Sequence, residues 1–487
     1  MRLLPDLEGK PAADAEIVGE RTDSKTVSAQ YRLENPHTYR LAFTTVLAIL
    51  ALLGSAPPDP KPDLILAFNG STQGEMVTCN CSKGLSGGYP RRGGYMEKLR
   101  KGGVPVLAID TGNAFESASD RGKVKAEISF QALKTMGCDL SSVGELDVFL
   151  GIDFLLQHAK DNGVTLISAT VAHADTQELI AAPYAVRSIT AGSRTVRVGI
   201  LGLCGTPPPS VLPTPDYKAV GVTIKPVEEA ASKYIPELKA KCDFVVVVGQ
   251  LTAAEINAIA AKYPEIAVII SGRRAVPPEP PITAANSIPV YYSTNWLKKA
   301  TVCADVTLGA GASAPSIKLS ENALGDNVAD GAEMATLMKV YVGRLLTLPP
   351  PPEAIPNPSD PNYTGPATRY AGATRCGECH KSAYEAWQKT AHAKAIDSLA
   401  TTNQTKDHDC LPCHTTGYLQ PYGFRDVDLT PDRVNVQCEA CHGPGSHHTM
   451  YPKEREKLKS RCVTCHNPER DPDFDFDRCW NLVKHGR

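Results

Sequence analysis

The pentapeptide Cys-x-x-Cys-His occurs four times toward the C-terminal end of the chain, at Cys376–His380, Cys410–His414, Cys438–His442 and Cys462–His466. In that order of residues, two thiols can add to the vinyl groups of one haem while the adjacent imidazole falls under the iron as its fifth ligand. Paired Cys-x-x-Cys sites also hold zinc. Zinc, however, does not require a histidine directly after every second cysteine, and here all four copies have one. The pattern therefore predicts four covalent c-type haems. Cys376, Cys379, Cys410, Cys413, Cys438, Cys441, Cys462 and Cys465 are the thioether residues, and His380, His414, His442 and His466 the proximal ligands. Such a region needs little apolar core of its own, because the porphyrins supply the apolar surface.

What fills the sixth position of each iron decides the chemistry. A second histidine makes a low-potential electron carrier, and an open position makes a site for ligand binding or catalysis. Outside the motifs the same region holds His392, His408, His447, His448 and His485, more imidazoles than four irons need. A surplus imidazole that reached a neighbouring subunit's haem would make a homo-oligomer.

Net charge is −2 and no block of basic residues occurs, so there is no electrostatic footprint for nucleic acid. Leu41–Leu53 is an apolar run preceded by Arg40 and followed by Gly54-Ser55-Ala56. It is short for a membrane span and has the layout of a secretory signal, so residues 1–56 are expected to be an N-terminal extension plus signal peptide. The stretch before it is long for such a signal and places the expected translation start near Val27 or Leu33; an uncleaved anchor is the alternative. On either reading the protein is exported, to the periplasm or the cell surface, where the remaining cysteines (Cys79, Cys81, Cys138, Cys204, Cys242, Cys303 and Cys479) are able to form disulfides.

Between these ends, apolar β-branched runs alternate with helical patterns. Strands are expected at Leu64–Phe68, Val104–Ile109, Val196–Leu203, Phe244–Val248 and Ile266–Ile270, and helices at Val124–Met136, Ile152–Lys160, Val227–Lys241 and Ala253–Lys262. That alternation predicts an α/β layered domain over residues 57–346. A proline-rich linker, 347–368, joins it to a mainly α, loop-rich multihaem domain over 369–487.

The stretches Trp387–Ala395, Cys410–Tyr418, Val436–Gly445 and Trp480–Gly486 resemble the tetrahaem cytochrome c family, whose best-known member takes electrons from hydroxylamine oxidoreductase in nitrifiers. The resemblance implies His392, His448 and His485 as distal ligands, with His447 and His408 as further candidates. His408 stands where relatives commonly lack a histidine, and the family often keeps one haem five-coordinate.

The order of motifs in the α/β region is similar to the metallophosphoesterase domain of 5′-nucleotidase/UDP-sugar hydrolases. It has a first strand and loop, Gly87-Gly88-Tyr89-Pro90-Arg91-Arg92, Leu107–Gly112, Val143-Gly144, and the strand ends at Gly249 and Gly272. That chemistry needs two metals held by Asp, His and Asn at strand ends. Here the expected ligands read Ser71-Thr72-Gln73, Gly112-Asn113, Gly144-Glu145-Leu146-Asp147, Gln250 and Gly272-Arg273-Arg274-Ala275. Every imidazole is replaced, and His158 and His173 do not rebuild the set. No dinuclear metal is expected, and phosphohydrolysis is not expected.

Cys79-Asn80-Cys81, on a Gly-rich loop, resembles a nucleotidase-like family whose loop reads Cys-Gly-Cys and some of whose members carry selenocysteine. It is a candidate for thiol redox catalysis, against a structural disulfide to a residue such as Cys138. Arg91 and Arg92 either hold a small anionic ligand or form a solvated pair. The leading reading is an exported electron carrier between a donor and an acceptor protein, its α/β domain serving docking or ligand binding. The alternative is a redox enzyme using a five-coordinate haem or the Cys79/Cys81 loop. A haem-tethered phosphohydrolase comes third.

Overall fold

The computed structural model describes residues 61–77, 87–115, 118–206, 216–273, 285–292, 299–309, 314–352, 369–446, 455–467, 470–471 and 473–485. The apolar run 41–53, Cys79, Cys81, most of the proline-rich stretch, Arg274, Ala275, His447 and His448 lie outside the described residues. All described residues belong to one compact unit, Lys61–Arg487.

The α/β part runs β1 (Leu64–Asn69), α1 (Tyr89–Lys101), β2 (Val106–Asp110), α2 (Asp120–Thr135), β3 (Leu140–Ser142), α3 (Ile152–Asp161), β4 (Thr165–Ile167), β5 (Val171–His173), β6 (Tyr184–Ala191), β7 (Arg194–Cys204), β8 (Val222–Ile224), α4 (Val227–Lys239), β9 (Phe244–Gln250), α5 (Ala253–Lys262), β10 (Ile266–Ser271), β11 (Val290–Tyr292), β12 (Ala300–Thr307), β13 (Ser316–Ala323) and α6 (Ala332–Thr347). Two main sheets form. One has the order β13-β12-β1-β2-β3-β4 and the other β11-β10-β9-β7-β6, while β5 and β8 make a separate pair. Strands β1 to β4 are parallel, as are β7, β9, β10 and β11; β12, β13 and β6 are antiparallel additions at the edges.

The alternation of side chains along a strand explains the layers. In β1, Leu64, Leu66 and Phe68 point between the sheets, where they meet Val198 and Ile200 of β7, Val246 and Val248 of β9 and Ile270 of β10. Ile65 and Ala67 point the other way, into a core closed by α1, α2, α3 and α6. The second sheet's outer face, with Leu201, Val245 and Ile269, is covered by α4 and α5. The result is helix–sheet–sheet–helix, with every central strand buried on both faces, which is why those strands read as continuous apolar runs.

The cytochrome-like part is made of short helices: α7 (Ala373–Gly377), α8 (Lys381–Trp387), α9 (Ala395–Ala400), α10 (Leu411–His414), α11 (Cys438–His442), α12 (Arg455–Cys465) and α13 (Phe476–Val483), with 3₁₀ turns at Ala391–Lys394 and Pro431–Arg433. Its largest cluster of apolar side chains is small: Leu399, Leu411 and Phe424, flanked by Ile396, Cys410, Tyr418, Val427 and Val434.

The Arg91-Arg92 pair is split by the fold. Arg91 reaches Asp326 at the surface, at 2.8 Å. Arg92 is buried and donates through Nη1 to Asn69 Oδ1 (3.0 Å) and to the Ala300 carbonyl (2.8 Å), joining α1 to β1 and β12. Arg92 is thus neither solvated nor turned toward an open ligand site. Beside it, a Cβ on Gly94 would lie 1.9 Å from the Ala329 carbonyl oxygen, so only glycine lets α1 approach the segment that enters α6. Truncating Arg92 leaves buried acceptors without their donor, which costs about 1–3 kcal/mol for each group left unsatisfied. Arg92→Met is expected to lower the denaturation midpoint of the full chain accordingly; an unchanged midpoint would remove Arg92 from the list of structural supports.

Candidate functional site

Each haem motif sits on or directly beside a short helix, and the helices are tied together by polar bonds rather than by a continuous apolar core. Glu439, inside the third motif, is buried and accepts from the backbone N–H groups of Ala371 (2.7 Å), Gly372 (2.8 Å) and Gly445 (2.6 Å). Neighbouring Gln437 accepts from Ala373 N–H (2.7 Å). These bonds fix the approach to the first motif against the third, where Cys438 pulls the pKa of the Cys376 thiol down. Cys413 acts in the same direction on Cys465 between the second and fourth motifs.

The imidazoles are brought together across the sequence. His392 faces His466 with ring centres 6.0 Å apart, and His442 faces His485 at 6.0 Å. Two imidazoles that each place a nitrogen about 2 Å from one metal, from opposite sides, have ring centres roughly 6 Å apart. The second ring nitrogen is occupied at two of the proximal residues. His414 Nδ1 lies 2.6 Å from the Ala395 carbonyl oxygen, and His466 Nδ1 lies 2.7 Å from Asp471 Oδ2. A carbonyl or carboxylate can only accept, so Nδ1 carries the proton and Nε2 keeps its lone pair for a metal. Burial, then the adjacent imidazole, pushes the pKa of His392 and of His442 down, favouring the neutral ring that ligates. The donor set therefore fits haem iron.

His408 is placed differently. It rests edge-on against Tyr418 at 5.2 Å and faces the α/β part, with Nε2 buried. Its pKa is pulled down to about 4, first by burial and then by Arg121 and Lys125. Among the described residues, no imidazole ring stands against His414 as His392 stands against His466. Sequence spacing gave no hint of which distal histidine serves which motif.

At the strand ends of the α/β part, the residues in ligand positions bond to one another. Ser71 Oγ donates to the Gly272 carbonyl (2.7 Å), and Gln250 Nε2 donates to Ser71 Oγ (3.0 Å) and to the Thr111 carbonyl (2.9 Å). The Asp147 carboxyl accepts from the backbone N–H groups of Asn113 (2.8 Å), Ala114 (2.9 Å) and Gly144 (2.8 Å). Asn113 Oδ1 accepts from Leu146 N–H at 3.0 Å. Arg273, 5 % exposed, pairs with Glu145 at 3.5 Å and donates to the carbonyls of Gly205 (2.9 Å) and Gln250 (3.1 Å). A guanidinium thus lies buried among these loops. Ser71, Gln73 and Asn113 hold left-handed backbone (φ 48°, 46° and 57°), so the loops keep a demanding shape. Among the described residues no group of three or more His, Cys, Asp or Glu side chains is placed to hold a metal ion. His158 packs on Phe154 at 4.2 Å. Cys138, the named alternative partner for the Cys79/Cys81 loop, is a buried free thiol whose Sγ lies 3.6 Å from the Leu140 carbonyl oxygen.

The C-terminal motifs and their facing imidazoles define a c-type cytochrome segment. Residues 375–443 match the family model of cytochrome c554 and c-prime. Cytochrome c-554 of Nitrosomonas europaea is 31% identical over 130 residues, covering 23% of this chain and 55% of that protein. The chain therefore spans about half the length of the curated relative it matches. Among solved structures, the chain is similar to a 5′-nucleotidase precursor from Thermus thermophilus (20% identity, 58% of this chain and 59% of that one, TM-score 0.46). It is also similar to the calcineurin-like phosphoesterase YfkN from Bacillus subtilis (18% identity, 58% and 98%, TM-score 0.48).

Burial raises Asp147 from an ordinary 3.8 to about 7 and Asp110 to about 6. The folded chain then holds protons that the unfolded chain has released between these values. The stability they lend is complete below about pH 4 and is lost as pH rises through about 6 to 7. The denaturation midpoint is expected to fall between pH 5 and pH 8, and to fall less in Asp147→Asn; equal slopes in the two proteins would contradict this.

Proposed function

We propose that residues 369–487 hold four covalent haems and pass electrons between a donor and an acceptor protein outside the cytoplasmic membrane. The observation that carries this reading is the coincidence of attachment motifs with two imidazole pairs at axial-ligand spacing, 6.0 Å each. Cys376, Cys379, Cys410, Cys413, Cys438, Cys441, Cys462 and Cys465 supply the thioether sulfurs, and His380, His414, His442 and His466 the proximal nitrogens. His392 then serves the fourth motif and His485 the third, while the first takes His448, or its neighbour His447, by resemblance. When bound, each haem supplies a one-electron iron couple, and two imidazoles hold that iron low-spin. The chain's own residues set the ring orientations: Ala395 and Asp471 fix the tautomers of His414 and His466. Attachment of haem to such motifs takes place after export, which agrees with the apolar run at 41–53.

The α/β part is, on this reading, a docking or ligand-binding module without hydrolytic chemistry. The buried Arg273–Glu145 pair, the Gln250–Ser71 bond and the backbone N–H groups held by Asp147 support that assignment, because two-metal hydrolysis needs those positions as ligands. One observation favours a second reading, a redox enzyme with an open iron: His408 rests against Tyr418 at 5.2 Å and lines the cavity beside the α/β part instead of facing a motif imidazole.

Electron paramagnetic resonance of the oxidised protein, with haem quantified alongside, tests both. Four haems per chain are expected. His392→Ala and His485→Ala should each convert one haem to high spin, and His408→Ala none. A high-spin signal in the unmodified protein that shifts with nitric oxide would move the open-iron reading ahead of the pure carrier. Separately, no phosphodiester hydrolysis is expected with added manganese; turnover there would overturn the non-hydrolytic assignment.

A further inference from the structure

Lys125 belongs to α2, yet its ammonium serves the other part of the chain. It is 2 % exposed and meets both carboxylate oxygens of Asp409, each at 2.9 Å. Asp409 directly precedes Cys410, the first thioether residue of the second motif. One turn earlier on the helix, Arg121 donates to the Lys406 carbonyl at 2.5 Å. These contacts border a cavity of about 40 Å³ that Tyr341, Asp407 and His408 also line. Asp407 Oδ2 and His408 Nε2 are buried there without a protein hydrogen-bond partner. A water in that space would serve both.

The junction is held from one further direction: Arg425 donates to the Pro351 carbonyl, just past α6, through Nε (3.2 Å) and Nη2 (2.9 Å), while inside the α/β part Arg344 of α6 pairs with Glu127 of α2 at 2.5 Å. The other charges nearby are Lys406, which faces Asp426 (3.4 Å) and Asp428 (3.9 Å), and Arg470, which acts on Cys410.

We propose that the α/β part sets the reduction potential of the haem attached through Cys410 and Cys413, with Lys125 as the tuning residue; this rests on the haem reading above. Reduction adds an electron, so a buried cation beside the site favours the reduced form and a buried carboxylate the oxidised one. In the native protein Lys125 and Asp409 offset each other. Removing one uncovers the other at a poorly solvated position, so the two substitutions act with opposite sign.

The test is a potentiometric titration of the full-length, haem-loaded chain, followed by absorbance and electron paramagnetic resonance after haem has been counted. Lys125→Met is expected to move one haem to more negative potential, and Asp409→Asn the same haem to more positive potential. The expected size is about tenfold in the one-electron equilibrium, or about 59 mV. The other haems should stay in place, and Lys125→Arg should remain near the native value. A purely structural role would move both variants in one direction or disturb all haems together. Four bound haems with unmoved potentials, or shifts of one sign, would overturn this proposal alone, whereas a chain that binds no haem would overturn the reading beneath it.

Discussion

Among its described residues the C-terminal part lacks the apolar interior that ordinarily drives folding, and its other features follow from that. Leu399, Leu411 and Phe424 make a cluster far smaller than any of the three in the α/β part. Hydrophobic burial scales with area removed from water, so the backbone here has to be organised by something else. What is present is a lattice of side-chain-to-backbone bonds around the motifs. Glu439 and Gln437 hold the approach to the first motif, Trp387 Nε1 donates to the Val436 carbonyl at 2.8 Å, and Asn435 Oδ1 accepts from Ile396 N–H at 2.9 Å. Such bonds set positions well but add little net free energy each. On the reading proposed above, covalently attached porphyrins would supply the missing apolar area.

The α/β part shows the reverse arrangement. Its apolar core comes from two sheets packed face to face and covered by helices. The strand-end loops nevertheless retain left-handed residues at Ser71, Gln73 and Asn113. Strained backbone persists where the surroundings over-determine it, and here the surroundings are the bonds these residues make with Gly272, Gln250, Asp147 and Leu146. Arg273 closes the group with a buried positive charge balanced by Glu145.

The layered class and the central strands of the α/β part were legible because strands buried on both faces are continuous apolar runs, as at Leu64–Phe68 and Phe244–Val248. Helix α5 was legible from its apolar periodicity, and its start is fixed locally by a capping box of Thr252 and Glu255. Helix α1 was not. Its Arg91-Arg92-Gly93-Gly94 run has no apolar stripe, and it is held instead by Arg92 reaching into the sheet. Strands β12 and β13 were not read: β13, the edge strand, is largely exposed and alternates weakly, while β12 is buried between β13 and β1. In the haem region the motifs were plain, but the pairing of His392 with His466 joins residues far apart in sequence, and no periodicity records it. Arg91 and Arg92 looked equivalent as neighbours, yet helix geometry sends one to Asp326 and the other into the core.

These differences bear on where the two parts of the chain communicate. In an α/β sheet the chemically active edge is ordinarily the row of loops at the strand ends, and in this protein the described residues of that row bond largely to one another, although Thr111 Oγ1, Gln250 Oε1 and Arg273 Nη1 are buried there without a hydrogen-bond partner. The groups of the α/β part that reach outward to the haem region are instead on the first turns of α2, where Arg121 and Lys125 are buried against Lys406 and Asp409. Burying a lysine is unfavourable unless it is paired, and removing either member of a buried pair costs more than the pair contributes. Lys125, buried and meeting both oxygens of Asp409, therefore works as a held charge. A mobile surface lysine at the same distance would be screened by water and salt within about 8 Å. Held in the junction, next to the first cysteine of the second motif, the charge acts on one motif in particular, and it is present only when the α/β part is folded and docked.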